Sequence, residues 1–402
     1  MPGTNDETKN ILEVGLLHRI MVFFQKAEKL PGPAIALIQF VAATLVAVAW
    51  RAREAPLHMA LSAAVVVAFA SAADVTIFSW LPRQRISFGP WKPQTVVLLT
   101  LRALVSLLLA LLGGLLTWPS VLPLSVLAQV SGTVLLWWAA AVEPRRLVLT
   151  YLDVPVRGML RTAKPVRLLH ISDIHLERIT DREEKLLSFA RKAKPDLIVI
   201  TGDYLNLSYN RDKLAQQQVA QLLAQLQAPY GVYATLGSPP VDLRQEVVPM
   251  LEALPLRLLR DEWTTVELGQ GMKVVLMGVD CTHYRDEDAA RLASLAIAAP
   301  KGAPRVLLYH SPELMPQAIE HNIDLYLCGH THGGQVRLPL LGPILTSSQL
   351  GRRYVMGHYH EGRTHLYVSR GVGLEGLSAP RVRLLAPPEM TLVTLSPEDN
   401  ER

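Results

Sequence analysis

Cysteine is almost missing: Cys281 and Cys328 are the only two in 402 residues, and no C-x-x-C spacing joins them. A disulfide framework is thereby excluded, and the scarcity fits a reducing compartment. No Lys/Arg-rich block occurs, although the formal net charge is +5. Part of that excess flanks apolar runs, so it points to a membrane surface and away from nucleic acid. No small-residue cleavage site follows the first apolar run, which begins too late for a signal peptide.

Long apolar runs, by contrast, are plentiful. Half of the residues are hydrophobic and the mean hydropathy is +0.22, values that indicate membrane segments. Four stretches approach the roughly 20 residues needed to span: Ala34 to Trp50, Leu57 to Leu81, Val96 to Trp118 and Val121 to Val142. The first and fourth carry no ionisable residue, which argues against a channel or pump. The second carries His58 and Asp74, the third Arg102. Asp74 and Arg102 each lie about seven residues from the loop joining their spans, so a hairpin brings them level and able to pair, about 10 Å deep. Basic residues precede the first span (Lys9, Arg19, Lys26, Lys29), occupy the first two loops and follow the fourth span, but are missing from the third loop. Applied to each loop, the positive-inside rule puts both termini and the C-terminal domain in the cytoplasm, as expected of a multi-pass inner or plasma membrane protein. Ile11 to Phe24 is too short to span and is expected to form an interfacial helix or one packed on the domain.

From Val166 the pattern changes to short β-type runs alternating with helical ones. Val166–Ser172, Asp196–Asp203, Gly231–Gly237, Met272–Asp280, RVLLYHS and DLYLCGH read as strands; Arg182–Lys194 and Asp212–Leu226 read as helices. Such a pattern indicates α/β layering around sheets buried on both faces, with ligands at the carboxyl ends of the strands. The chemically distinctive residues fall at those ends: Asp173 and His175, Asp203, the Gly237-Ser238-Pro239-Pro240 loop, His310, and His330 with His332 in GHTHGG. Two aspartates and four histidines exceed one tetrahedral site. Mixed carboxylate and imidazole donors suit Mn, Fe or Zn, and paired ions suit phosphoryl transfer.

The motifs LLHISDIHL, VITGDYLN, YGVYATLG, LLYHSPEL and DLYLCGHTHGGQVRLP, with the closing YVSRGVG and RLLAPPEMTLVTL, resemble the membrane-associated branch of the calcineurin-like metallophosphoesterases. The resemblance runs from about Lys164 to Leu395. It implies an α/β fold in four layers, a β-sandwich flanked by helices, preceded here by an all-α bundle of four transmembrane helices. The expected division is an N-terminal segment (1–32), a transmembrane domain (33–143), a linker (144–163), the catalytic domain (164–396) and a tail (397–402). The resemblance also implies two divalent ions. Asp173, His175 and His332 would hold the first; His310 and His330 the second; Asp203 would bridge. Hydroxide between the ions would attack phosphorus, with Asp203 and His330 serving the catalytic step. Asp280 matches a family aspartate read as structural, Cys328 is expected to be a buried apolar residue, His170 a core residue, and His283, His321, His358 and His360 surface or structural.

One loop departs from the pattern. Relatives carry Gly-Asn-His at the third strand end, where the Asn ligates and the His meets phosphate and protonates the leaving oxygen. Here Ser238 and Pro239 stand in those places. Proline can do neither, Ser238 is a poor substitute ligand, and Asp242 would need a rearranged loop to swing in. Losing a general acid costs about 10²–10⁴ in rate, least for leaving groups that need no proton. Two readings follow: a phosphoesterase or pyrophosphatase acting on a phosphorylated small molecule or lipid-linked substrate, or a catalytically impaired relative that binds a phosphorylated ligand or partner.

Overall fold

A computed structural model describes residues 16–398 apart from 160, 163, 270 and 271. The chain forms two compact units: the N-terminal helices together with Gly376–Val382, and the chain from Glu143 to Glu375 together with the stretch from Arg383 onward.

In the helical unit, four helices are long and apolar enough to cross a membrane: Gly32–Ala52, Leu57–Trp80, Trp91–Leu111 and Trp118–Trp137. The third and fourth start earlier than the apolar runs suggest, at Trp91 and Trp118. Pro93 and Pro119 fall in their first turns, where a missing N–H breaks no bond. A shorter helix, Leu16–Gln25, precedes them; the amino-terminal part of the expected interfacial segment lies outside the described residues. The bundle is inside-out. Phe40, Phe69, Leu108 and Leu127 face outward, whereas Ala60, Ala63, Ser71, Ser106 and Ser125 are buried. Small residues let helices approach closely where lipid offers no hydrophobic drive to associate.

The expected pairing is present. Arg102 donates from Nε and Nη2 to both Asp74 carboxylate oxygens at 2.6 Å, from Nη1 to Gln129 Oε1 at 3.0 Å, and from Nη2 to Thr133 Oγ1 at 2.9 Å. Gln129 Nε2 returns a bond to the Arg102 carbonyl at 3.1 Å. Three helices are thus joined by one satisfied buried network. Arg102→Met strands the Asp74 charge and is expected to cost about 3–5 kcal/mol, read as a lower melting temperature of the detergent-solubilised protein. Asp74→Leu combined with Arg102→Met should recover much of it; equal melting of parent and single variant would show the pair to be idle.

The second unit carries β1 (Val148–Val156), β2 (Val166–Ile171), β3 (Leu197–Thr201), β4 (Val232–Thr235), β5 (Arg257–Leu258), β6 (Glu262–Glu267), β7 (Lys273–Gly278), β8 (Arg305–Leu308), β9 (Leu325–Cys328), β10 (Arg337–Leu338), β11 (Gly342–Pro343), β12 (Gly357–Glu361), β13 (Thr364–Val368) and β14 (Glu389–Pro397). Two six-stranded mixed sheets form, in the orders β1-β14-β2-β3-β4-β5 and β12-β13-β9-β8-β7-β6. The segment 144–163, expected to be a linker, instead contains β1, which pairs in parallel with β14 along its whole length. Its partner lies at the far end of the chain, so local pattern could not reveal it.

Side chains along the strands alternate between cores, as a period of two demands. On β3, Leu197 and Val199 enter the core between the sheets, while Ile198 and Ile200 pack under the helices Asp181–Ala193 and Lys213–Leu223. On β9, Leu325 and Leu327 enter the same central core, and Tyr326 and Cys328 pack under the helices Arg285–Ala298 and Met315–Glu320. The result is helix, sheet, sheet, helix. In one sheet β2, β3 and β4 run parallel, in the other β7, β8 and β9 do.

Candidate dimetal centre

The loops leaving these parallel strands bring the six expected ligands together. Ligand atoms of Asp173, His175 and His332 lie within 4.8 Å of one another, as do those of Asp203, His310 and His330, and all six residues are buried. Asp203 reaches both groups: its Oδ2 is 3.1 Å from His310 Nε2 and 3.5 Å from His175 Nε2. Five of the six, all but His310, hold left-handed backbone, with φ from 41° at His175 to 70° at His330. Such strain persists where surrounding structure over-determines it, and it gathers at functional sites.

Ring tautomers are set from outside. His310 Nδ1 faces the Thr201 carbonyl at 2.8 Å, which turns Nε2 toward Asp203 Oδ2 at 3.1 Å. His330 Nε2 faces Ser347 O at 3.3 Å, which leaves its Nδ1 the lone pair. His175 Nδ1 lies 2.7 Å from Glu375 Oε2, a carboxylate–histidine arrangement that raises ligand basicity. Arg383 donates to His332 Nδ1 at 3.0 Å and is itself held by the Gly373 and Ala386 carbonyls. His175 Nε2 and His332 Nε2 face each other at 3.0 Å. Buried carboxylate and imidazole donors that converge in two groups of three fit a pair of divalent cations.

Without such ions, protons do part of their work. Burial alone would lower His175 and His310, but Glu375 and Asp203 around the first, and Asp203 and Asp173 around the second, raise them to about 9 and about 10. Burial would raise Asp203, yet His310 and His175 hold it well below the carboxylate range. Burial and His310 push His330 down to about 4. At neutral pH His175 and His310 therefore each carry a proton that a ligating nitrogen must shed. Mn²⁺ loading at pH 7 should release about two protons, and affinity should rise with pH until about 9–10, where both protons have left. Calorimetry in buffers of different ionisation enthalpy reads this directly; a buffer-independent enthalpy would contradict it.

Elsewhere the residues fall as follows. Asp280 is bound by Arg260 at 2.7 Å, apart from the ligands. His170 is a core residue bonded to Thr201 Oγ1, and Cys328 is fully buried. Asp242 does not swing in: its carboxylate accepts the backbone N–H groups of Asp203, Tyr204 and Gly237 at 2.7–3.0 Å and pins the two loops together. Pro239 and Pro240 form a turn closed by Val241 N and Asp242 N on Ser238 O. His321 is half-buried, and His358 and His360 are exposed on β12.

His283 is not at the surface, one of the two places expected of it. It is buried, its ring centroid 4.6 Å from that of His330, and its Nε2 is 3.0 Å from Ser238 Oγ. Glu375 and Arg383 were likewise missed. One signal for His283 was available: it follows the carboxyl end of β7, on the rim where the other ligands gather.

A family model described as calcineurin-like phosphoesterase matches residues 166–334. An uncharacterized metallophosphoesterase of Bacillus subtilis, YkuE, is 32% identical over 239 residues, covering 57% of this chain and 78% of that one. The phosphodiesterase YaeI of Escherichia coli is 28% identical, covering 58% and 83%. The UDP-2,3-diacylglucosamine pyrophosphatase LpxG of Chlamydia muridarum is 25% identical over 327 residues, covering 67% of this chain and 95% of its own.

Proposed function

Because this chain belongs to the calcineurin-like metallophosphoesterase family, we propose that it is a membrane-anchored, dimetal-dependent hydrolase of a phosphodiester or pyrophosphate whose leaving group needs no proton. The observation that carries this is Asp203, one buried carboxylate facing both ligand groups. Asp173, His175 and His332 would hold one ion and His310 and His330 the other, with Asp203 shared. Bound ions supply positive charge against phosphoryl oxygens and acidify water.

The chain's own residues do the rest. Glu375 and Thr201 hold the protons of His175 and His310 away from the ligating nitrogens. Asp242 fixes the backbone around Asp203. Pro239 offers no proton where relatives place a histidine, so the leaving group must depart as a stable anion. Phosphate and nucleotide anions meet that condition and alkoxides do not. The four apolar helices support a substrate in or near the bilayer, and the positive-inside pattern supports a cytoplasmic site. The likeness to a pyrophosphatase acting on UDP-2,3-diacylglucosamine fits both conditions.

The test is the purified, Mn²⁺-loaded protein presented with an aryl phosphodiester, a nucleotide-diphosphate lipid and an alkyl phosphomonoester. The first two should turn over and the third should lag far behind. Alkyl monoester cleavage at a similar rate would sink the leaving-group reading. The exchange to Ser238-Pro239 favours a second reading, a relative that only binds a phosphorylated ligand; no turnover of any substrate with both ions present would establish that one.

A further inference from the structure

We propose that Ser238 and His283 act as one unit, in which His283 Nε2 accepts a hydrogen bond from the Ser238 hydroxyl and so makes Ser238 Oγ the missing donor for the ion held by Asp203, His310 and His330. The proposal rests on the two-ion reading and deepens it. A serine hydroxyl alone is a weak ligand, being neutral and holding its own proton. A hydrogen bond from that hydroxyl to an imidazole nitrogen increases the electron density on oxygen, as partners behind a ligand raise its basicity.

Four observations place the pair. Ser238 is buried and its N–H donates to Asp203 Oδ1 at 2.7 Å, which seats the residue beside the bridging carboxylate. Its Oγ is 3.0 Å from His283 Nε2. The His283 ring is close to the ligands, with centroid distances of 4.6 Å to His330 and 6.3 Å to His310. His283 also holds left-handed backbone at φ 63°, as do five of the six expected ligands.

The loop bearing His283 is fastened on several sides. Arg244 donates to the carbonyls of Gly237 and Asp242 and also to that of Cys281, tying the two loops to each other. Asp288 accepts from Thr282 N and Oγ1 at 2.9 and 2.7 Å, and Gln349 Nε2 donates to His283 O at 3.0 Å. A histidine serving only as filler would need no such fixture. The loop that lost Asn and His is thus completed from a strand end 45 residues away.

The experiment measures Mn²⁺ binding to the full-length protein by equilibrium dialysis, with exchange-coupled Mn²⁺ resonance reporting a filled pair. Ser238→Ala and His283→Phe should each weaken the second ion about 10–100-fold and leave the first ion in place. Their combination should be no weaker than either alone, because the two act as a unit. Ser238→Asn, which brings its own carbonyl, should bind the second ion and make that binding indifferent to His283→Phe. Second-ion affinity unchanged in Ser238→Ala or His283→Phe would overturn the proposal. Additive losses would overturn it too, as would continued dependence on His283 in the Ser238→Asn variant. A parent protein that binds only one ion would instead overturn the two-ion reading itself.

Discussion

Asp203→Asn lowers hydrolysis of an aryl phosphodiester by about a thousandfold or more, with the protein still folded. The change keeps size and shape, and an amide oxygen can still accept from Ser238 N, as Asp203 Oδ1 does. The difference lies at the other oxygen. Oδ2 faces His310 and His175 from between the two ligand groups, and an amide NH₂ there would present hydrogens where a cation must sit. One charge is removed from both groups together, so both ions should weaken. The surrounding loop survives because Asp242, not the Asp203 side chain, holds its backbone. Near-normal turnover in a variant with an unchanged melting temperature would remove the dimetal mechanism.

Gly329→Ala acts first on the first group, and it does so through space. A Cβ at Gly329 would fall 1.9 Å from Asp173 Oδ2 and 2.2 Å from Ser172 Oγ. Neither partner can retreat easily. Both Asp173 oxygens accept the His330 N–H, at 3.0 and 3.2 Å, and Ser172 Oγ accepts from Thr201 Oγ1 at 2.8 Å in the buried chain that continues to His170. Asp173 must therefore move, and a misplacement of about 1 Å costs on the order of a hundredfold in rate. Metal counting should show the first ion weakened more than the second. A variant that keeps both ions and parental turnover would show that the close approach is not needed.

The gathering of the six expected ligands was legible because two independent patterns coincide on them. Apolar runs buried on both faces mark the strands, and Asp or His residues fall at their ends. The four long apolar helices were legible because their length and composition match those of a bilayer span. β1 was not, since its sequence, Val148 to Val156, alternates unevenly and its only sheet partner is β14 at the far end of the chain. Glu375 and Arg383 sit in coil, where no period signals a role; only the folded chain brings them to His175 and His332. The place of His283 was hidden for a similar reason. Its meaning depends on Ser238, and no local motif links a histidine after β7 to a serine after β4.

The left-handed backbone shared by Asp173, His175, Asp203, His283, His330 and His332 has a consequence for evolutionary drift. Each such residue costs roughly 1–2 kcal/mol relative to a glycine in the same turn, against a total stability of only about 5–15 kcal/mol for a typical protein. In a lineage that no longer used the centre, a glycine there would relieve this strain but lose the buried contacts of the side chain it replaced. The backbone strain at these six positions is thus offset by the packing and hydrogen bonds of the side chains that meet there.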